Sequence, residues 1–286
     1  MHVPVMLAEC LEYLALRPDG IFLDATAGLG GHTGAIAGRL TSGFVIANDR
    51  DAESLELARR NTSQWAARIR FHHGSFSELR AALAELGVER VDGLLADLGV
   101  SRYQLTEPER GFSLMADGPL DMRQNRGQEL TADEIVNFTP EKELADLIYQ
   151  LGEERRSRRI SRAIVRARPI HSTQRLSRVI EEAVPRTSKI HPATQTFQAL
   201  RMAVNDEQGE LDQLLAAAPD LVKSGGRIVI LSFMSLEDRK VKQSFQALAR
   251  AGRAEILTKH VVRPSSEEIK TNPPSRSAKL RALEMK

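Results

Sequence analysis

The sequence predicts an α/β protein in which a mostly parallel sheet is interrupted by a helical insertion. Short apolar segments typical of buried strands alternate with helical segments up to about residue 104, and the alternation resumes after residue 206. Between these regions, apolar residues recur at a spacing of about 3.6 and β-branched runs are absent, which favours helices. Strand–helix–strand order implies right-handed crossovers and parallel strands. We therefore predict a sheet domain from residues 1–104 and 206–286, with residues 105–205 as an inserted, basic helical subdomain.

Seven segments are typical of strands, and helical patterns lie between them. The predicted strands are 20–24, 44–49, 68–74, 91–97, 227–233, 254–262 and 277–285. The helical patterns of the sheet domain are 33–40, 52–62, 76–86, 209–222 and 236–250. The sequence SGG at 224–226 is a good helix stop, and it predicts the end of the helix over 209–222.

Composition and charge limit the class of protein. The chain has 286 residues, 42% of them apolar and 27% charged, and it has no apolar run of membrane length and no basic leader, so we expect a cytosolic protein without a membrane span. The single cysteine, Cys10, excludes an internal disulfide and a cysteine-cluster metal site, and the histidines lack metal-ligand spacing. Residues 151–205 carry twelve Lys or Arg against four acids, a surplus of +8. Such a surplus is typical of a polyanion-binding surface or of a solvated helix face.

A glycine-rich segment directly after the first predicted strand indicates a ligand site. Gly28, Gly30, Gly31 and Gly34 lie where a turn would present backbone N–H groups at the carboxyl edge of the sheet. The third glycine of the dinucleotide fingerprint falls one position late. Asp24 ends the strand, and its charge would be unfavourable beside a pyrophosphate but favourable near a cationic cofactor. We favour S-adenosyl-L-methionine over a nicotinamide dinucleotide, which remains the alternative.

Four further positions are candidates for the same site. We expect Asp49, at the end of the second strand, to accept hydrogen bonds from a ribose, and Phe76 to pack on an adenine. Asp97 ends the fourth strand, at the edge where such sheets bind ligands, and Gln104 follows it at the start of the insertion. Core packing for Phe76 and a turn cap for Asp97 remain open. The NPPS sequence at 272–275 lacks the aromatic residue of amino-methyltransferase motifs and lies after the sixth strand, so we reject it as catalytic.

Several long strings, in order along nearly the whole chain, resemble one family. They are HVPVMLAE (2–9), DATAGLGGHT (24–33), DLGVS (97–101), ERGFSLMADGPLDMR (109–123), GEER (152–155), HPATQTFQALRMAVN (191–205), GGRIVILSF (225–233) and SLEDR (235–239). They resemble the ribosomal RNA small subunit methyltransferase H family, which methylates the exocyclic N4 of a cytidine in small-subunit (16S) ribosomal RNA. The resemblance implies a class I S-adenosylmethionine-dependent methyltransferase fold interrupted by a helical insertion. Because this insertion is basic, we predict that it recognises RNA.

The resemblance also implies site residues and a partner. The implied cofactor contacts are Gly30, Gly31, His32, Asp49, Phe76, Asp97 and Gln104. The candidate substrate contacts within the matching strings are Arg110, Arg123, His191, Phe197 and Arg201. The implied partner is the small ribosomal subunit with its 16S rRNA, and the sequence leaves the oligomeric state open. Two positions depart from the family pattern: Arg102-Tyr103 follows DLGVS where Ser-Pro is usual, and Met234 stands where a histidine is common.

The chemistry of cytosine N4 indicates what the enzyme must supply. The lone pair of this nitrogen is delocalised into the ring, so an acceptor bonded to the amino group would localise the lone pair and later receive the proton. Asp97 is the first candidate for this acceptor, and the backbone carbonyls of the DLGVS turn are the alternative. Methylation of DNA or of a protein amine, and a non-catalytic RNA-binding role, remain competing functions.

Overall fold

Residues 4–185 and 191–286 are described in the structure, which is a computed structural model. The chain divides into two compact units, Met1–Gly99 with Gln208–Lys286, and Val100–Glu207. Gln104, which the sequence pattern assigns to the sheet domain, therefore lies in the second unit. His2 and Val3 of the first matching string, and Arg186 and Lys189 of the basic stretch, lie outside the described residues.

Seven strands in the described part of the first unit form one sheet. They are β1 (Ile21–Asp24), β2 (Phe44–Asp49), β3 (Ile69–His73), β4 (Val91–Asp97), β5 (Val222–Ser232), β6 (Ala254–Ile256) and β7 (Lys279–Met285). Their order is β3-β2-β1-β4-β5-β7-β6. Strands β1 to β5 pair in parallel, and β7 runs antiparallel to both of its neighbours. The predicted seven-stranded, mostly parallel sheet is confirmed.

Helices pack on both faces of this sheet, because the apolar side chains of its central strands alternate between two clusters. Ile228 and Ile230 of β5 belong to one cluster, and Val229 and Leu231 belong to the other. The helices of the first unit are α1 (Leu7–Leu14), α2 (Gly31–Ala37), α3 (Ala52–Asn61), α4 (Leu79–Glu85), α11 (Glu207–Leu221), α12 (Ser235–Arg250) and α13 (Ser266–Thr271). Residues of α1, α2 and α3 pack on one face, and residues of α4, α11 and α12 pack on the other.

Several elements begin or end at other residues than predicted. The largest differences are the start of β5, at Val222 and not at residue 227, and the end of β6, at Ile256 and not at residue 262. Helix α11 ends at Leu221, before the SGG sequence, because Val222 already pairs with Val91 of β4; a register shift follows, and the next pair is Arg227 with Gly93. The strand predicted over 254–262 ends at Ile256, since the Thr258 hydroxyl accepts the Ala282 N–H at 3.0 Å and replaces the regular ladder there. The chain meets β7 again only at a single bridge, between Val262 and Leu280.

The second unit is built around its own apolar core. Its described residues contain the helices α5 (Arg102–Thr106), α6 (Ala132–Phe138), α7 (Glu141–Gly152), α8 (Ser157–Ala167), α9 (Thr173–Ala183) and α10 (Thr194–Val204). Buried residues of α6 to α10 form the core, together with Phe112, Leu120 and Met122 from the loop that follows α5. This helical character agrees with the periodicity of the sequence, whereas the recognition of RNA by this unit stays a prediction.

Candidate active site

The loop between β1 and α2 is fixed on both sides by backbone hydrogen bonds. The Ala25 N–H donates to the Leu95 carbonyl of β4, and the Ala27 N–H donates to the Asn48 carbonyl of β2, both at 2.8 Å. The glycine-rich turn therefore leaves the sheet between β2 and β4, at the carboxyl ends of the strands. Ligands of open parallel sheets bind at this edge.

Gly30 is required by the shape of this turn. Its φ is +85°, in the left-handed region that side chains rarely adopt. A Cβ at this position would lie 2.8 Å from the Thr62 side chain and 3.2 Å from Ala58. Gly31 begins α2, and a Cβ there would lie 2.5 Å from Pro4. The backbone of this loop thus packs closely against its neighbours without side chains of its own.

Three adjacent strands each end in an aspartate. Asp24, Asp49 and Asp97 are the last residues of β1, β2 and β4, and β1 lies between the other two strands. Burial raises the pKa of both Asp24 and Asp49 to about 6, against the lowering effect of their hydrogen bonds. A group of carboxylates that is costly to ionise favours a cationic or hydrogen-bond-donating ligand.

The first two of these carboxylates are held by local donors. Asp24 is fully buried and accepts the Thr33 hydroxyl at 2.6 Å and the Thr26 N–H at 3.2 Å. Asp49 is half-buried, and its two oxygens accept the N–H groups of Gly28 at 2.7 Å and of Asp51 at 2.9 Å. Asp49 therefore fixes the start of the glycine turn, a role that only its place in the fold reveals.

Asp97 has the most perturbed carboxyl of the three. Its backbone N–H donates to the Thr26 hydroxyl at 2.6 Å, and its side chain remains 25% exposed. The Oδ1 atom is buried without a hydrogen-bond partner, and Oδ2 lies 3.7 Å from Nδ1 of His32. Burial first, and then the negative charges of Asp24 and Glu237, raise the pKa of Asp97 to about 8. Such an acceptor can bind an N–H group and take its proton.

His32 is held against the N-terminal segment. It lies in the first turn of α2, is only 5% exposed, and its Nε2 lies 3.0 Å from the Val5 carbonyl. Because a carbonyl oxygen only accepts, Nε2 is the nitrogen that carries hydrogen in the neutral ring. Nδ1 then faces Asp97, so the structure brings together two residues that the sequence associates only through the family resemblance.

Comparison with known proteins shows the family. Residues 1–286 match the family model of the MraW methylases. The chain belongs to the MraW methylase family. It is 65% identical to the ribosomal RNA small subunit methyltransferase H of Solibacter usitatus over 286 residues, which is 100% of both chains. It is 50% identical to the protein of the same name from Koribacter versatilis over 298 residues, with 100% of this chain and 94% of that protein covered.

A solved structure supports the fold alone. A candidate rRNA methylase from Clostridium thermocellum is similar to this MraW family member with a TM-score of 0.51 at 10% sequence identity, and 100% of both chains is covered. At this identity the likeness concerns the arrangement of the strands and helices. Together with the sheet order, it confirms the methyltransferase-type fold that the sequence predicts.

Phe76 lies half-buried beside the carboxyl end of β3. Its ring packs against the apolar cluster on one face of the sheet, and its N–H donates to Oε2 of Glu210 at 2.9 Å.

Glu237, at the start of α12, is another acid that sequence reasoning missed. Its Oε2 accepts the N–H groups of Phe233 and Met234, both at 3.0 Å. The sequence contains only half of the signal, because Glu237 stands at the third helical position of a capping box but Met234 occupies the N-cap, where Ser or Thr is usual.

Arg110 has a structural role in the second unit, although the family strings made it a candidate substrate contact. It is 1% exposed, and its Nη2 donates to the carbonyls of Arg123 and Gln124 at 2.9 and 3.1 Å. Its guanidinium also lies 5.9 Å from the ring centroids of both Tyr103 and Phe112. Burial on this scale favours a role in the packing of the loop, and a contact of Arg110 with the substrate stays a prediction.

The other candidates of the second unit have partners within it. Arg123 pairs with both oxygens of Asp121, at 2.8 and 2.9 Å. Arg201 pairs with both oxygens of Glu207, each at 2.8 Å. His191 lies 2.7 Å from Glu181, and Phe197 is buried in the core.

Gln104 is buried, and its Oε1 accepts the Ser101 N–H at 2.9 Å, which caps α5. The roles of all these candidates toward cofactor or substrate stay predictions.

The described residues contain neither a metal-binding cluster nor a helix suited to a membrane. In residues 4–185 and 191–286, no group of three or more His, Cys, Asp or Glu side chains is placed to hold a metal ion. None of the helices in these ranges is both long enough and apolar enough to cross a membrane.

Proposed function

We propose that this member of the MraW methylase family transfers the methyl group of S-adenosyl-L-methionine to the exocyclic N4 of a cytidine in the 16S rRNA of the small ribosomal subunit, in the cytoplasm. The names of the relatives support the reaction class and the substrate. The observation that carries the proposal is Asp97, which ends β4 at the ligand edge of the sheet with an unpartnered, buried carboxylate oxygen.

The residues at this edge fit the proposed cofactor. S-adenosyl-L-methionine carries an ammonium and a sulfonium and no phosphate. Three neighbouring aspartates favour such a cationic ligand, whereas a helix N-terminus without acids would favour a phosphate. The left-handed Gly30 and the adjoining Gly31 pack closely against Thr62 and Pro4, which holds the loop backbone in the turn that would bind the cofactor. Each oxygen of Asp49 accepts one N–H and retains a lone pair for a ribose hydroxyl. The proposed set of contacts is completed by His32, Phe76, Asp97 and Gln104.

The chain's own contribution to the reaction is orientation and proton acceptance. When bound, the cofactor supplies a methyl group on a sulfonium that carries its own leaving group. The Oδ1 of Asp97 accepts a hydrogen bond from the substrate amino group, which localises the nitrogen lone pair and aligns it for attack. The N4–H bond then breaks and its proton passes to the same oxygen. The target base has to be unstacked to reach the carboxylate.

The second unit offers an arginine-rich surface for rRNA. The exposed arginines on α8, α9 and the turn before α8 are Arg155, Arg158, Arg159, Arg162, Arg166, Arg175 and Arg178. Arg162 pairs with Glu141 at 3.5 Å, but Arg158, Arg159 and Arg166 have no ion pair within the described part of the chain. Uncompensated guanidinium groups on one helix supply phosphate affinity that does not depend on sequence. The remaining residues that the family resemblance implies would add specificity, namely Arg123, His191, Phe197 and Arg201.

The decisive experiment measures the modified nucleoside. Small ribosomal subunits from cells that lack the protein are incubated with it and labelled S-adenosyl-L-methionine, and the rRNA nucleosides are analysed by mass spectrometry. We expect label in N4-methylcytidine, and a rate lower by about 10²–10⁴-fold for Asp97→Asn. The control Asp212→Asn, at an exposed acid of α11, should react at the wild-type rate. Label on a ring carbon, on ribose or on protein would contradict the proposal, as would a preference for duplex DNA.

A further inference from the structure

The imidazole of His32 has one defined tautomer when it is neutral. Its Nε2 donates to the Val5 carbonyl at 3.0 Å, and the ring is buried. Nδ1 therefore carries a lone pair, and this lone pair faces Oδ2 of Asp97 at 3.7 Å. A lone pair and a carboxylate oxygen repel each other unless a proton is bound to one of them.

We propose that Asp97 and His32 hold one proton between them, and that His32 in this way keeps Asp97 in the carboxylate form that accepts the substrate's amino proton. This inference rests on the proposed function. With the proton on Nδ1, the pair is an imidazolium beside a carboxylate, and Oδ1 of Asp97 keeps its lone pairs for the substrate. His32 is thus a positioning residue that acts through Asp97.

The surroundings of Asp97 explain why it needs such a partner. The acids that face it are Asp24 from β1 and Glu237 from α12, and both disfavour a negative charge on Asp97. The Cys10 thiol of α1 is also within its electrostatic reach, but burial raises the pKa of this thiol and keeps it neutral. His32 is the basic side chain placed beside Asp97, from α2. An imidazolium at this distance favours the carboxylate form of Asp97 and so opposes the effects of burial and of the neighbouring acids.

The proton that the reaction releases from N4 is taken up by the Asp97–His32 pair. Methyl transfer forms the N4–carbon bond and breaks the carbon–sulfur bond, and the sulfur keeps the electron pair. The N4–H bond then breaks, its electron pair stays on nitrogen, and the proton binds to Oδ1 of Asp97. The pair now holds two protons, one on each residue, and one of them returns to water before the next turnover.

The first test measures the protonation of His32 directly and requires no methyl transfer. Cofactor-free protein labelled with ¹⁵N-histidine is titrated by NMR, so that the sulfonium charge contributes nothing. We expect the neutral His32 ring to carry hydrogen on Nε2, and we expect its pKa to differ by about one unit or more between the wild type and Asp97→Asn. Asp212→Asn should leave the titration unchanged. The same His32 titration in the wild type and in Asp97→Asn would overturn the proposal.

The second test uses the pH dependence of a single turnover. His32→Gln retains an amide donor for the Val5 carbonyl but has no nitrogen that can share the proton. We expect its rate near neutral pH to fall about tenfold and to recover at about two pH units higher, because the acidic limb of the profile moves upward. An unchanged profile, or a loss that is equal at every pH, would overturn the proposal. If the wild type forms no N4-methylcytidine, the proposed function fails, and the NMR titration still decides whether the proton is shared.

Discussion

Single residues at the carboxyl edge of the sheet determine what the first loop can bind. Asp24 and Asp97 flank the turn and are costly to ionise, and Gly30 holds the turn in a left-handed conformation. Each of these properties concerns one residue and its immediate neighbours. The loop is therefore sensitive to small substitutions that would be harmless elsewhere on the surface.

We predict that Gly30→Ala lowers both stability and cofactor affinity. The left-handed backbone costs about 1–2 kcal/mol for a residue with a Cβ, and the new methyl group would also press on Thr62. Gly87→Ala is the matched control, since Gly87 has φ +67° with nothing within 4 Å of the added Cβ. We expect equilibrium dialysis with labelled S-adenosyl-L-methionine to show reduced affinity for Gly30→Ala and wild-type affinity for Gly87→Ala. Equal affinity in the two variants would contradict a role of the loop in cofactor binding.

Among the helices, α8 has a polar face of arginines of which Arg162 alone has an ion pair within the described residues, with Glu141 of α7. Arg158, Arg162 and Arg166 follow one another at intervals of four residues and have no acid among them on the helix. Like charges at this spacing destabilise a helix by about 0.2–0.5 kcal/mol per pair, and arginines in the first turn oppose the helix dipole. A polyanion bound to this face would remove both costs.

We predict that the triple variant Arg158→Gln, Arg162→Gln, Arg166→Gln binds rRNA more weakly and with a lower salt dependence. The slope of log affinity against log salt should decrease by about 2–3, because each phosphate contact contributes about 0.7–0.9. Fluorescence anisotropy with labelled 16S rRNA fragments measures this slope. The control replaces three exposed arginines of the first unit by glutamine: Arg39, Arg90 and Arg250. An equal change of slope in both triple variants would show that net charge alone, and not this face, governs binding.

For the molecule as a whole, the buried acids make stability depend on pH in an unusual direction. Burial raises the pKa of Asp24 to about 6 and that of Asp97 to about 8. Between about pH 4 and 8 the folded protein therefore binds more protons than the unfolded chain, so stability decreases as the pH rises. The pKa values of Asp92, Asp121 and Glu154 are lowered instead, by hydrogen bonds and charges that oppose their burial, and their contribution is lost only as the pH falls below about 4.

We predict that the free energy of unfolding of the cofactor-free protein decreases steadily from about pH 5 to pH 8. Urea denaturation at several pH values in this range measures the slope. Asp97→Asn, which cannot titrate, should have a shallower slope and a higher relative stability at the alkaline end. Asp212→Asn should have the wild-type slope. A slope that is the same in Asp97→Asn and in the wild type would contradict the raised pKa of this carboxyl.

The order of amino acids is enough to specify the local elements and to identify the family. Periodicity located β2 and β4 at their observed ends, and it placed Asp24, Asp49 and Asp97 at strand ends. Because parallel strands bring their carboxyl ends to one edge, the order of the elements alone predicts that these aspartates lie near one another. Long strings such as HPATQTFQALR carried the substrate class, which no periodic pattern contains.

The burial and pairing of individual side chains, by contrast, follow from the folded chain. Folding places His32 beside Asp97 and buries Arg110 in the interior of the second unit. It makes the Glu237 carboxylate an acceptor for the backbone N–H of Met234 at the start of α12. It also ends β6 at Ile256, where the Thr258 hydroxyl replaces a ladder bond. Periodic patterns report the environment of each residue averaged over a segment, whereas ionisation and pairing depend on single atoms that distant parts of the chain bring together.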